Sequence, residues 1–127
     1  MIIFQKRERF RTPKDGFTRD FLRFSMKMYY PLEIEEVIAR MPEVAEVCVF
    51  GIWNEIDGDA AAASVVAKAG CQLTANQVLE FVAENISEDY KQLHAGVQIV
   101  SNLAKNLNGK VKRHTVKEEF LKATGQI

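Results

Sequence analysis

The chain has 127 residues, of which 47% are hydrophobic and 27% are charged. This size and balance fit one compact domain with a hydrophobic core and argue against an intrinsically disordered chain. The formal net charge is zero, with 17 Lys and Arg against 17 Asp and Glu, and we expect no nucleic-acid partner.

Basic residues are concentrated at the N-terminal end, since residues 1–27 hold eight Lys and Arg but three Asp and Glu. We predict that residues 1–18 form a basic, poorly ordered leader and that residues 19–127 form the folded domain. An alternative is that the leader contacts phosphate or an acidic partner.

The cysteines and histidines show no metal-ligand spacing. Cys48 and Cys71 are not flanked by His94 or His114, so we predict reduced thiols and no metal site. The longest apolar run, residues 60–67, is too short to span a bilayer, and the N-terminus does not resemble a signal peptide. We therefore expect a soluble intracellular protein, cytoplasmic or peroxisomal, although the final Gly-Gln-Ile is not a Ser-Lys-Leu peroxisomal signal.

The first elements are predicted from apolar spacing. Residues 21–24 form a short extended piece that Pro31 brings to an end. A helix is predicted next, because four apolar residues recur at i, i+3, i+4 and i+7, namely Ile34, Val37, Ile38 and Met41. Pro42 is predicted to end this helix. Residues 46–53 predict a strand with two apolar faces, typical of a central strand. Residues 61–68 predict a second strand, with helix as an alternative because alanine is a poor strand former.

The second half of the chain predicts two more helices around a strand. Thr74 and Gln77 have the spacing of a capping box ahead of an amphipathic helix, and residues 96–100 alternate as a strand does. Thr115 and Glu118 form another capping box, which predicts the start of a final helix. The whole order predicts an α+β domain, a small sheet of about three strands with helices packed on it.

The segment that precedes the final helix carries the most suggestive chemistry. Asn108 and Gly109 predict a tight turn that presents Lys110, and Lys112 and Arg113 add positive charge just beyond it. Taken alone, such a short motif is more often a solvated hairpin tip than a catalytic site.

Four segments carry a family resemblance: residues 30–38 (Tyr-Pro-Leu-Glu-Ile-Glu-Glu-Val-Ile), 47–51 (Val-Cys-Val-Phe-Gly), 89–91 (Asp-Tyr-Lys) and 108–110 (Asn-Gly-Lys). In this order and spacing they resemble the C-terminal domain of the adenylate-forming superfamily, which includes acyl-CoA synthetases, 4-coumarate-CoA ligases and insect luciferase-like enzymes. The resemblance implies a lid domain that swings over a large N-terminal domain. One face of such a lid serves adenylation of a carboxylic acid, and another serves thioester formation with CoA.

The resemblance also implies roles for particular residues. Lys110 takes the place of the adenylation lysine, where its charge would meet carboxylate and α-phosphate oxygens. Gly109 would let the turn close beside the ligand. Arg19 and Arg23 take basic positions of the family, and that of Arg23 serves the second half-reaction. Met26 stands where the family has a glycine in the loop that approaches pantetheine.

Three functional hypotheses follow. The family's ATP-binding domain is not found in this chain, so the resemblance implies ATP, Mg²⁺ and CoA for the complete enzyme and none bound by this chain alone. The first hypothesis is a lid domain that is inactive without an N-terminal adenylation domain. The second is a lid that completes an active site in trans through an apolar interface, for which Phe24, Met26, Met28 and Tyr29 are candidates if their side chains are exposed. The third is a non-catalytic interaction or regulatory module that keeps the lid fold and contacts an acidic surface through its leader.

Overall fold

A computed structural model describes residues 21–126, so the predicted leader and Arg19 lie outside the described residues. The elements in chain order are β1 Leu22–Phe24, β2 Lys27–Tyr29, α1 Pro31–Ile38, β3 Val44–Asn54, β4 Gly58–Ala67, α2 Ala75–Asn85, a 3₁₀ turn Asp89–Lys91, β5 Gly96–Val100 and α3 Arg113–Ala123. The predicted α+β class is confirmed. The three longer predicted strands are present, and the three-residue strands β1 and β2 extend the sheet.

Strand β4 is the centre of the sheet. Strand β3 pairs antiparallel along one edge of β4, from Val44 opposite Ala67 to Asn54 opposite Gly58. Strand β1 pairs antiparallel with β4 at Gly58, and β5 pairs in parallel with residues 62–66. Because β3 occupies one edge of β4, β1 and β5 share the other edge, and β2 continues from β1 as its hairpin partner. Strand β3 and the β1–β2 hairpin therefore lie at opposite edges of the central strand β4.

Helices cover both faces of this sheet. Helices α1 and α2 pack on one face, where their buried side chains meet β3 and β4: Ile34, Val37, Ile38, Val78, Val82, Val49 and Val65. Helix α3 packs on the opposite face, in a cluster of Cys48, Phe50, Ala62, Leu103, Val116 and Phe120. Successive side chains of a strand point to opposite faces of the sheet. Because helices cover both faces, β3 needs apolar side chains on both of its faces.

Burial on two faces does not make β3 a central strand. Among the described residues β3 pairs only with β4, so the prediction of a central strand is wrong. The apolar pattern of β3 indicates that helices cover both of its faces. It does not indicate whether the strand is central or at an edge, because that depends on which strands pair with it.

The alanines of β4 are confirmed as strand residues. Residues 60–63 are all buried, and Ala62 and Ala63 have no solvent exposure. Short side chains let helices pack closely on both faces, so tertiary packing outweighs the poor strand propensity of alanine.

Two helix starts follow from local chemistry. Pro31 occupies the first turn of α1, where a missing N–H costs no helical hydrogen bond. Thr74 caps α2 as predicted, because its side chain accepts from the Gln77 N–H at 3.2 Å and the Gln77 side chain accepts from the Thr74 N–H at 2.9 Å. Within residues 21–126, no helix has the length and apolar character needed to cross a membrane.

Candidate functional site

Lys110 lies in a hairpin loop between β5 and α3. An antiparallel bridge between Lys105 and Val111 closes the loop. The Gly109 N–H donates to the Asn106 carbonyl oxygen at 3.0 Å, and the Asn106 N–H donates to the Lys110 carbonyl oxygen at 2.9 Å. This is the pattern of a β-turn followed by one residue in the left-handed region, and Gly109 is that residue with φ of 84°. The predicted turn is confirmed.

The side chain of Asn106 holds the turn from inside. Its Oδ1 accepts from the N–H of Asn108 at 2.9 Å and from the N–H of Lys110 at 3.0 Å. Asparagine often stabilises turns by such side-chain to backbone bonds. The sequence interpretation missed Asn106, although an asparagine four residues before Lys110 was a usable signal.

The side chain of Lys110 is exposed at this loop. Within residues 21–126 its ammonium makes no ion pair, and adjacent Leu107 is fully exposed. A compact ammonium with three donors suits a carboxylate or phosphate oxygen brought to the loop from outside. The arrangement therefore offers one positive charge on an ordered turn, not a closed pocket.

Ion pairs hold both flanks of the loop against the sheet. Upstream, the Lys105 Nζ lies 2.7 Å from the Glu46 Oε2 on β3. Downstream, the Arg113 Nη1 lies 2.6 Å from the Glu35 Oε2 on α1 and also donates to the Val49 carbonyl oxygen on β3. The same Glu35 oxygen accepts from the Val49 N–H at 2.8 Å. The sequence interpretation found neither carboxylate partner, because these contacts join residues far apart in the chain.

Helix α3 begins earlier than predicted. Its first residue is Arg113, and the preceding Lys112 makes no side-chain cap. Thr115 therefore lies in the first turn of the helix, so the predicted capping box of Thr115 and Glu118 is wrong. The His114 Nε2, not Thr115, meets Glu118, at 3.3 Å.

Arg23 lies on β1, with an exposed side chain. Its backbone N–H donates to the Asp59 Oδ2 at 3.4 Å, and its carbonyl oxygen lies against Gly58. Strand β1 is on one side of β4, whereas the Lys110 loop is attached through Glu46 to β3 on the other. The structure thus places Arg23 and the loop that bears Lys110 at opposite edges of one sheet. Arg19, the third predicted basic residue, is outside the described residues.

The β1–β2 turn takes an unusual backbone for its residues. Ser25 and Met26 have φ of 51° and 69°, a region that normally favours glycine, asparagine or aspartate. Met26 is 90% exposed, and Met28 is also exposed. Phe24 and Tyr29 are buried, so of the four residues considered for an apolar interface only Met26 and Met28 meet the condition of exposure.

The remaining polar residues singled out in the sequence have structural contacts. Tyr90 packs edge-on against Tyr29, with ring centroids 6.5 Å apart, and the Lys91 Nζ lies 3.3 Å from the Glu33 Oε1. The His94 ring stacks on Phe24 at 4.9 Å. These contacts bind the 3₁₀ segment to α1 and to the β1–β2 hairpin.

Neither the thiols nor the acidic side chains form a reactive centre in the described part. Burial raises the pKa of the Cys48 thiol to about 11, with Glu35 adding to the rise and Arg113 opposing it. Cys71 is exposed and free. No group of three His, Cys, Asp or Glu side chains that could hold a metal occurs in residues 21–126. A shallow groove between α1 and the end of α2 is lined by three carboxylates, Glu33, Glu36 and Glu88, and one ammonium, Lys91, and this excess of negative charge does not suit an anionic nucleotide.

Comparisons with known proteins define the class. A family model described as "AMP-binding enzyme C-terminal domain" matches residues 33–110. A 3-[(3aS,4S,7aS)-7a-methyl-1,5-dioxo-octahydro-1H-inden-4-yl]propanoyl:CoA ligase of Rhodococcus jostii (strain RHA1) is 37% identical over 90 residues, 71% of this chain and 17% of that protein. 4-coumarate--CoA ligase-like 9 of Oryza sativa subsp. japonica is 28% identical over 104 residues, 82% of this chain and 18% of that protein.

A solved structure shows the same fold. Apo MatB from Rhodopseudomonas palustris superposes with a TM-score of 0.74 at 28% identity, over 83% of this chain and 21% of that one. The match of the family model to most of the chain shows that this protein belongs to the AMP-binding enzyme C-terminal domain family. The chain spans about a fifth of the length of the relatives that it matches.

Proposed function

We propose that this chain is the C-terminal lid domain of an ATP-dependent, AMP-forming acid-CoA ligase, with residues 19–127 as the lid. It acts with an N-terminal domain that binds ATP, Mg²⁺ and a carboxylic acid, in the same polypeptide or in another, and it is inactive without that domain. One observation carries the proposal: the loop that bears the exposed Lys110 is held at the β3 edge of the sheet, whereas the exposed Arg23 lies on β1, at the other edge of β4. A lid that serves two half-reactions in turn needs such an arrangement.

Lys110 is the residue that we assign to adenylation. When a carboxylate attacks the α-phosphate, negative charge shifts among the oxygens of the two groups and the leaving pyrophosphate. An ammonium placed against those oxygens stabilises that charge, and it does so more strongly once the closed lid excludes water. The ordered turn of Asn106 and Gly109 supports this role because it fixes the backbone from which Lys110 extends.

Arg23 is assigned to the thioester-forming step, and Gly109 and Arg19 to the surfaces that face nucleotide or substrate. Arg23 emerges from a strand whose backbone is tied to Asp59, so its position depends on the hairpin and not on the Lys110 loop. The guanidinium of arginine is planar and always charged, so it would contact phosphate or carbonyl oxygens in a geometry different from that of a lysine.

Reconstitution tests this proposal. The N-terminal four-fifths of a related acid-CoA ligase is assayed for ATP–pyrophosphate exchange with a panel of fatty and aromatic acids, alone and with this chain fused at its C-terminus. We expect exchange activity to rise when the chain is present. The positive control is the same N-terminal part fused to its own C-terminal domain. If that control is active but the fusion with this chain restores no exchange activity, the result would favour the non-catalytic interaction module.

The division of roles is tested in the active fusion. Arg23→Ala should slow thioester formation more than pyrophosphate exchange, because the two steps use opposite sides of the lid. Lys27→Ala, which removes another exposed cation from the same hairpin, is the matched control. Equal losses in both steps for Arg23→Ala would contradict the assignment of Arg23 to the second step.

A further inference from the structure

Within residues 21–126, the edge of β3 that faces away from β4 pairs with no strand, and side chains bond its backbone groups at Val49. In an antiparallel pair, alternate residues direct their N–H and C=O groups away from the partner strand. At Val49 both groups are taken up by side chains, the N–H by the Glu35 carboxylate and the C=O by the Arg113 guanidinium. We call this set, Glu35, Arg113 and the Val49 backbone, the clasp. It occupies the place that a further strand would take.

The clasp also joins the two layers of helices. Glu35 is on α1, which packs on one face of the sheet, and Arg113 is the first residue of α3, which packs on the other. Their side-chain atoms meet at 2.6 Å across the edge of β3, and the Glu35 side chain is only 14% exposed. The Arg113 side chain is 44% exposed, so solvent screens part of the attraction, but the two backbone contacts make this charge-assisted pair more directional than an ordinary surface ion pair.

The position of the clasp in the chain gives it a consequence for Lys110. Arg113 comes three residues after Lys110, and the intervening Lys112 N–H donates to the Ala104 carbonyl oxygen at 2.9 Å. Movement of Arg113 therefore moves the downstream strand of the hairpin loop. The upstream side is held separately by Lys105 and Glu46.

We propose that Arg113 is a positioning residue for Lys110, and that Glu35 and Val49 set the direction in which the Lys110 loop leaves the sheet. The proposal rests on the proposed function, because it assigns Arg113 an effect on adenylation that acts through Lys110. Arg113 itself is engaged with Glu35 and Val49, so it acts without contacting the substrate. Catalytic groups lose rate steeply when they are displaced, and a shift of about 1 Å can cost about 100-fold.

The first test needs no catalysis. Amide hydrogen exchange is measured on the chain itself, in the wild type and in Arg113→Met, which keeps an apolar stem but removes the guanidinium. We expect exchange at the Lys112 and Val116 amides to rise about 10-fold, while exchange at Ile86, the C-cap residue of α2 whose N–H donates to the Val82 carbonyl oxygen, stays the same. Lys122→Met removes a cation from the last turn of the same helix and should leave all three unchanged. Equal acceleration at Ile86 would mean general destabilisation, and no acceleration at Lys112 would mean that the clasp does not hold the loop; either result overturns the proposal.

The second test uses the active fusion. Arg113→Met and Glu35→Gln should each lower kcat for pyrophosphate exchange by about 10- to 100-fold, as for residues that orient a catalytic group, with little change in KM for ATP or acid. Arg113→Lys should recover part of the loss, because it restores the charge but not the planar geometry. Unchanged kcat with a loosened loop would overturn the positioning role. If Lys110→Ala leaves exchange intact, the proposed function fails, and the hydrogen-exchange result still decides whether the clasp holds the loop.

Discussion

Phe120 packs α3 against the sheet, and its truncation should destabilise the fold strongly. The side chain is 2% exposed and lies edge-on against Phe50, with ring centroids 5.3 Å apart and an angle of 70° between the rings. It belongs to the cluster that packs α3 on the sheet. Phe120→Ala removes one of the two aromatic side chains of this cluster.

The magnitude follows from burial and geometry. Replacing a buried phenylalanine by alanine typically costs about 3–5 kcal/mol, which includes the cavity left behind. Part of this, about 0.5–1.5 kcal/mol, belongs to an edge-on aromatic pair such as that of Phe120 and Phe50. Because small domains have unfolding free energies of about 5–15 kcal/mol, the variant should lose a large share of its stability.

Urea denaturation followed by circular dichroism measures the change in unfolding free energy. Leu107→Ala is the matched control, since it also truncates a large apolar side chain but at a fully exposed position, and it should change the unfolding free energy by less than about 0.5 kcal/mol. A loss below about 1 kcal/mol for Phe120→Ala would refute the packing of α3 on this face of the sheet.

Two further predictions concern backbone conformation and pH. Gly58→Ala should destabilise the fold by about 2 kcal/mol or more, because the φ of Gly58 is 102° and the new Cβ would lie 2.5 Å from the Arg23 carbonyl oxygen. Gly70→Ala is the control, since its new Cβ meets open space and the substitution should cost only about 1 kcal/mol. Similar losses of unfolding free energy for both variants in urea denaturation would contradict this prediction. Burial raises the pKa of the Cys48 thiol from 9.0 to about 11, so as the pH rises the unfolded state loses the thiol proton before the folded state does. The contribution of this thiol to the unfolding free energy is therefore fully present below pH 9 and should be lost as the pH rises toward 11. Burial also raises the pKa of Tyr29 above its ordinary value, which acts in the same direction at higher pH. Equal stability in urea titrations at about pH 8 and about pH 10.5 would argue against burial of the thiol.

The sequence was informative about local chemistry. The Asn108-Gly109 turn, the Thr74 cap and helix α1 each involve residues within a few positions of one another, and the structure has all three. The predicted end of α1 at Pro42 is wrong, because the helix ends at Ile38 and the buried Met41 lies in the turn that follows. The class of the fold followed because the order of elements leaves few ways to bury their apolar faces.

Contacts between distant residues could not be predicted in this way. Arg113 looked like added positive charge beside Lys110, but its partner Glu35 is 78 positions away, on a helix of the opposite layer. The edge position of β3 and the real start of α3 depend on the same long-range arrangement. The residues that hold the candidate site therefore became visible only once the sheet and its two helix layers were in place.

The most direct test of the central claim is ATP–pyrophosphate exchange by the active fusion with Lys110→Met. Lys110 is exposed and its ammonium makes no ion pair in the described part, so the change should leave the unfolding free energy within about 0.5 kcal/mol of the wild type. We predict that exchange falls by at least about 100-fold, as expected when a residue that stabilises transition-state charge is removed. Lys112→Met removes an exposed ammonium just beyond the same loop and should retain most of the activity. Exchange at the wild-type rate with Lys110→Met would contradict the account.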